Sequence, residues 1–178
     1  MRAALMLILL VMLAGAAAAG PVKEKLGPYN ISFNLNTTAK YSISSEGPWN
    51  SITDSGVKFT EYNLSIDGGD SLLYLTVRGY KIDNISDIDS NKTSINLVKG
   101  VLKVAQCTNT KLYQLPIDGH IGILGACSFP SNEVFACASY FIESPSSPIK
   151  KTNCRVFSTF SWEVTKEMLY SLHVEGPG

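Results

Sequence analysis

The clearest alternation in the chain runs from Tyr29 to Asn36. Tyr29, Ile31, Phe33 and Leu35 fall on one side of an extended ribbon, and Asn30, Ser32, Asn34 and Asn36 on the other. A period of two with one apolar face predicts a half-buried strand. The same period returns from Lys58 to Asp67, where Thr60, Tyr62, Leu64 and Ile66 oppose Glu61, Asn63, Ser65 and Asp67, and again from Ser71 to Ile82. Asp67-Gly68-Gly69-Asp70 between these runs is turn chemistry, so the two form a hairpin. Lys40-Tyr41-Ser42-Ile43 reads as a shorter strand, followed by a loop, Glu46 to Asn50, that carries Trp49.

From Thr93 the period changes. Lys92, Asn96, Lys99, Lys103 and Gln106 lie on one helical face and Leu97, Val98, Val101, Leu102 and Ala105 on the other. Asn91, Thr93 or Ser94 is the expected cap, and Gly100 is expected to mark a close approach to the sheet. Three apolar runs between Leu112 and Phe141 are separated by Asp118-Gly119 and by Pro130-Ser131-Asn132. Asp-Gly supplies the positive φ of a tight hairpin, so these runs predict an antiparallel meander at the centre of one sheet. Glu143 to Lys151 is a proline-interrupted loop, and Cys154 to Trp162 a last strand. Glu163 to Val174 carries a helical stripe of Val164, Met168, Leu169 and Leu172, with His173 in its last turn. The sum is an α+β domain, a single antiparallel sheet of hairpins and meander covered by two main helices.

Three short motifs carry a resemblance. Gly27-Pro28-Tyr29-x-x-x-Phe33, Ile117-Asp118-Gly119-x-x-Gly122 and the helix from Trp162 to Val174 resemble the PsbP-like fold, named for the extrinsic subunit of photosystem II. The opening Gly-Pro-Tyr-x-x-Ser-Phe-x-Leu-Asn-Thr is also similar to secreted proteins of methanogenic archaea. The resemblance implies a hairpin turn at Asp118-Gly119, core positions for Tyr29 and Phe33, and an accessory role without catalytic residues.

The ends and the composition narrow the class. Met1-Arg2, an apolar run from Ala3 to Ala14 and a small-residue site make residues 1–19 a secretory signal peptide, with cleavage after Ala19 the best fit. The alternative is an uncleaved anchor, although a dozen apolar residues fall short of the roughly 20 that span a bilayer. Residues 20–26 are expected as a flexible lead-in and 27–175 as one domain, with no further membrane span. A formal net charge of +0 offers nothing to nucleic acid. Four cysteines in an exported chain predict two disulfides among Cys107, Cys127, Cys137 and Cys154. Of the three possible connectivities, Cys107–Cys127 with Cys137–Cys154 suits a meander best. Asn-x-Ser/Thr triplets make Asn30, Asn36, Asn63, Asn84 and Asn91 possible glycosylation sites, and the strand pattern puts Asn30, Asn36 and Asn63 on outer, polar faces.

Catalytic chemistry is thinly supplied. The best available arrangement would use His120 beside Asp118 with a serine or cysteine nucleophile, but both sit in a tight turn. No nucleophile elbow, zinc-protease helix, phosphate loop or Cys-x-x-Cys pair occurs in the sequence, and no cofactor or metal is implied. The reading is a secreted or cell-surface, non-catalytic accessory or interaction domain with an envelope or extracellular partner. The alternative is a carbohydrate-, peptide- or envelope-binding module that stacks ligands on Tyr41, Trp49, Tyr113, Tyr140 or Trp162.

Overall fold

A computed structural model describes residues 20–107, 110–128 and 134–177. The expected signal segment and the Pro130-Ser131-Asn132 turn lie outside the described residues. The elements run β1 (Gly20–Leu26), β2 (Tyr29–Leu35), β3 (Ser42–Ile52), β4 (Lys58–Asp67), β5 (Leu72–Lys81), α1 (Ser90–Val104), β6 (Lys111–Ile117), β7 (His120–Ser128), β8 (Val134–Glu143), β9 (Lys151–Ser158), α2 (Trp162–Ser171) and β10 (His173–Glu175).

These strands form two antiparallel sheets, one of three strands in the order β1-β2-β10 and one of seven in the order β3-β4-β5-β9-β8-β7-β6. The expectation of a single sheet under two main helices is therefore overturned. Strand accounts for 54% of the described residues and helix for 19%, so the described part is mostly β, and a second sheet does much of the covering assigned to helices. Residues 20–26 are no lead-in. They pair along their whole length with β2, Gly20 against Leu35 through Leu26 against Tyr29, and bury Val22 and Leu26. The meander β6-β7-β8 forms one end of the large sheet rather than its centre, because β9 inserts between β5 and β8.

Register assigns each side chain of the large sheet to a face. Leu64, Ile66, Leu73, Leu75, Val77, Ala138, Tyr140, Cys154 and Val156 share the inner face and pack with Tyr29, Ile31, Phe33 and Leu35 of β2 and with Met168, Leu169 and Leu172 of α2. The sheets come close at Gly79, where a Cβ would lie 2.5 Å from the Tyr29 hydroxyl, and at Gly27, where one would run into the Tyr62 ring. The outer face carries α1 over β7 and β8, with Val98 and Leu102 buried against Ile123, Phe135 and Cys137. α1 is capped by Asp89, whose carboxylate accepts from the Lys92 amide at 2.9 Å, not by the three residues the sequence offered. Gly100 is exposed with nothing near it; the close approach belongs to Gly125 of β7, where a Cβ would meet Leu102 at 2.5 Å and Val98 at 2.8 Å.

Candidate interaction face

Helix α1 covers only half of the outer face. Over β3, β4 and β5 that face stays open, and register sets out its side chains in rows. Trp49, Glu61 and Arg78 make one row; Glu46, Asn63, Thr76 and Arg155 the next; Ser44, Ser65, Tyr74 and Phe157 the third. Glu46 and Trp49 are an odd number of residues apart, so an unbroken strand would send them to opposite faces. A bulge at Gly47-Pro48 inserts one residue, pairing Glu46 with Asn63 but Trp49 with Glu61, and both side chains emerge on the open face. Trp49 is consequently 56% exposed on an edge strand, not in a loop. Proline and bulge together also blunt that edge against strand addition.

The open half is charged. Arg78 donates from Nε and Nη2 to Glu61 Oε2 at 2.9 and 2.5 Å, and its guanidinium lies 4.2 Å from the Phe59 ring centroid. Burial pushes the Tyr74 phenol above its ordinary value; the charges of Glu46 and Glu61 add to that, and Arg155 opposes it. Asn63, expected on a solvated face, is only 6% exposed. Its Oδ1 has no hydrogen-bond partner among the described residues, and a side chain so enclosed has no room for a glycan. Asn30, Asn36, Asn84 and Asn91 are exposed, and Asn30 donates to Glu175 at 3.0 Å.

The Asp118–His120 arrangement does not form. Asp118 and Gly119 take φ of 53° and 72°, the tight turn the dipeptide predicts, and that turn aims the Asp118 carboxylate at β10. Oδ1 lies 2.6 Å from His173 Nδ1, while Oδ2 accepts from the Val174 amide at 2.9 Å and the Tyr140 hydroxyl at 3.3 Å. His173, expected in a helix, is thus in a strand, and its ring is 65% exposed against 7% for the carboxylate. His120 instead stacks on Tyr140, with ring centroids 6.1 Å apart. Asp118 joins the β6-β7 hairpin to β10 and so fastens one sheet to the other. Burial pushes the Tyr140 hydroxyl well above its usual range, with Cys154 and Asp118 adding to the effect.

Of the cysteines, Cys107 and Cys127 form a disulfide with Cα atoms 5.9 Å apart, which ties the segment after α1 to β7. The expected partner bond is absent: Cys137 and Cys154 are buried free thiols. Cys137 pairs with Phe157 and Cys154 with Tyr140, an offset of three rungs. An odd offset places the two on opposite faces of the sheet, and three residues span roughly 10 Å along a strand, beyond disulfide reach. Burial pushes both thiols up to about 12. The candidate stacking aromatics scatter as well. Tyr41 and Tyr140 are buried, Trp162 is half-buried, and Tyr113 is exposed on edge strand β6, far along the sheet from Trp49.

Comparison of the chain with family models, with curated proteins and with solved structures finds no match. Among the described residues no helix is long and apolar enough to cross a membrane.

Proposed function

We propose that this chain is an exported, non-catalytic interaction domain that engages an envelope or extracellular partner through the uncovered half of its seven-stranded sheet. The observation that carries the reading is the bulge at Gly47-Pro48, which turns Trp49 out beside Glu46 and the Glu61–Arg78 pair. Tryptophan and arginine are the residues on which interfaces concentrate their energy. The Cys107–Cys127 disulfide agrees with an oxidising compartment, and the resemblance to PsbP-like accessory subunits agrees with a role without catalysis. The scatter of Tyr41, Tyr113, Tyr140 and Trp162 speaks against a ligand platform of stacked aromatics.

The test is site-specific photo-crosslinking on the natively exported protein. A photoreactive residue at Ser44, on the open face, is expected to give a discrete adduct that Trp49→Ala abolishes. The same residue at Tyr170, exposed on α2, is the control. Adducts of equal yield from both positions, or from neither, would refute the assignment of the face.

A further inference from the structure

Beyond that face, a second site lies on the far side of α1. A cleft of about 520 Å³ opens between the first turns of α1 and the strands β6, β7 and β8, within the range of small-ligand sites. Its polar lining is Ser90, Asn91, Ser94, Gln114, His120 and Glu143, set against an apolar wall from Ile121, Ile123 and Phe141.

The decisive feature is a hydrogen-bond chain with a proton left over. Asn153 Nδ2 donates to Ser139 Oγ at 2.9 Å and to the Tyr140 carbonyl at 3.0 Å. Ser139 Oγ in turn donates to Ser94 Oγ at 3.3 Å. A hydroxyl has a single proton to give. That of Ser94 finds no acceptor among the described residues, although Ser94 is only 3% exposed and what it faces is the cleft. Along such a chain each donor polarises the next, and the terminal O–H is a good donor held ready for an acceptor oxygen.

Charge decides what kind of oxygen. Lys151, 4% exposed, stands behind Ser90, but its ammonium is fully engaged: it donates to the Ile88 carbonyl at 2.5 Å and to Ser90 Oγ at 2.9 Å, and pairs with Glu143 at 3.1 Å. Glu143 cancels its charge, so among the described residues of the cleft no lysine or arginine is left unpaired for a carboxylate or phosphate. What remains is a donor hydroxyl, two side-chain amides, an acceptor carboxylate at the rim and an apolar wall. Sugar hydroxyls both give and take hydrogen bonds, and the C–H face of a sugar ring suits Ile121, which is 76% exposed. We propose that this cleft binds a neutral saccharide unit, with Ser94 donating to one of its oxygens and Glu143 and Gln114 fixing its orientation.

The test is an amide-resolved NMR titration of the exported, disulfide-intact chain with glucose, mannose and N-acetylglucosamine, and with glucuronate as the charged control. Saturable shifts confined to Ser94, Gln114 and His120, at millimolar affinity for a neutral sugar, are expected. Gln114→Ala should weaken that binding about tenfold, the size of one good hydrogen bond, with the melting temperature unchanged because Gln114 is exposed. Ser94→Ala should abolish it. Since that change also strips Ser139 of its acceptor and threatens the fold, the Gln114 variant decides the matter if Ser94→Ala unfolds. No saturation by any neutral sugar, tighter binding of glucuronate, or affinity indifferent to Gln114→Ala would each overturn the proposal.

Discussion

The two halves of the outer face share one sheet and one pleat, on different strands of it, yet they are built to opposite ends. Under α1 the polar groups are paired in series, Asn153 to Ser139 to Ser94, among Val98, Leu102, Ile123 and Phe135. Over β3, β4 and β5 the polar groups are charges that pair with each other across neighbouring strands, Glu61 with Arg78, beside an exposed tryptophan. The difference follows from what covers each half. Beneath a helix an unpaired polar group costs its full desolvation, so the Asn153–Ser139–Ser94 series is satisfied but for one proton; beneath solvent the same positions can keep charge and aromatic surface for recognition.

The sharpest way to break this comparison is to cut into each half in turn. Leu102→Ala removes a side chain that packs with Val98 over Gly125, and is expected to cost about 2–5 kcal/mol, read as a lowered urea midpoint. Next in size is the disulfide. Cys107 and Cys127 are separated by 20 residues, and replacing both by serine should cost about 3 kcal/mol through the freed unfolded chain. Hydrogen exchange should show α1 opening ahead of the rest, because the bond fastens the end of that helix. An α1 whose exchange is unchanged would mean that the covered half is held by its packing alone.

Alkaline titration probes the covered layer more gently. Cys137 lies under α1 and Cys154 in the inner core, both pushed up to about 12 against an ordinary thiol value of 9.0. Between these values the unfolded chain loses both protons and the folded chain keeps them. Stability is therefore whole below pH 9 and falls as pH rises toward 12, by roughly 1.4 kcal/mol per pH unit for each thiol. Buried Tyr29 and Tyr140, also raised, act in the same direction. Cys137→Ala should flatten the curve by one thiol's share. In the native state neither thiol should react with an alkylating agent, and both should react on unfolding without reductant.

Much of this architecture was legible in the chain; what was missed was lost to blurred alternation, to a bulge, to an element too short to show a period, or to register between distant strands. Period-two alternation located β2, β4 and β5 with their faces, and Asp118-Gly119 located its hairpin, because these depend on neighbours in sequence. β1 escaped because Lys23, Glu24 and Lys25 blur its alternation. β3 was broken into a short strand and a loop by the same bulge that gives Trp49 its orientation. The rest depends on register between distant strands: β9 between β5 and β8, the three-rung offset that parts Cys137 from Cys154, and the burial of Asn63. In the candidate face, Glu61, Asn63 and Ser65 were assigned to one side correctly, but nothing local said that α1 would stop short of them. His173 was read into a helix because the apolar stripe of α2 runs on to Leu172, and the three residues of β10 are too few to show a period of their own.

The smallest expected effect on stability is the most informative about the open half. Trp49→Ala should move the unfolding free energy by no more than about 0.5 kcal/mol, as surface substitutions do, since more than half of the side chain already meets solvent. Glu61→Ala should cost somewhat more, about 1 kcal/mol, because it strands the Arg78 guanidinium, whose side chain is 20% exposed. Partner cross-linking from Ser44 should vanish in both. The pairing of readouts matters: a residue kept for packing loses stability and binding together, whereas one kept for recognition loses binding alone. Should Trp49→Ala unfold the chain as readily as Leu102→Ala, the tryptophan would be core, the open half would be a second covered half, and the contrast between them would be gone.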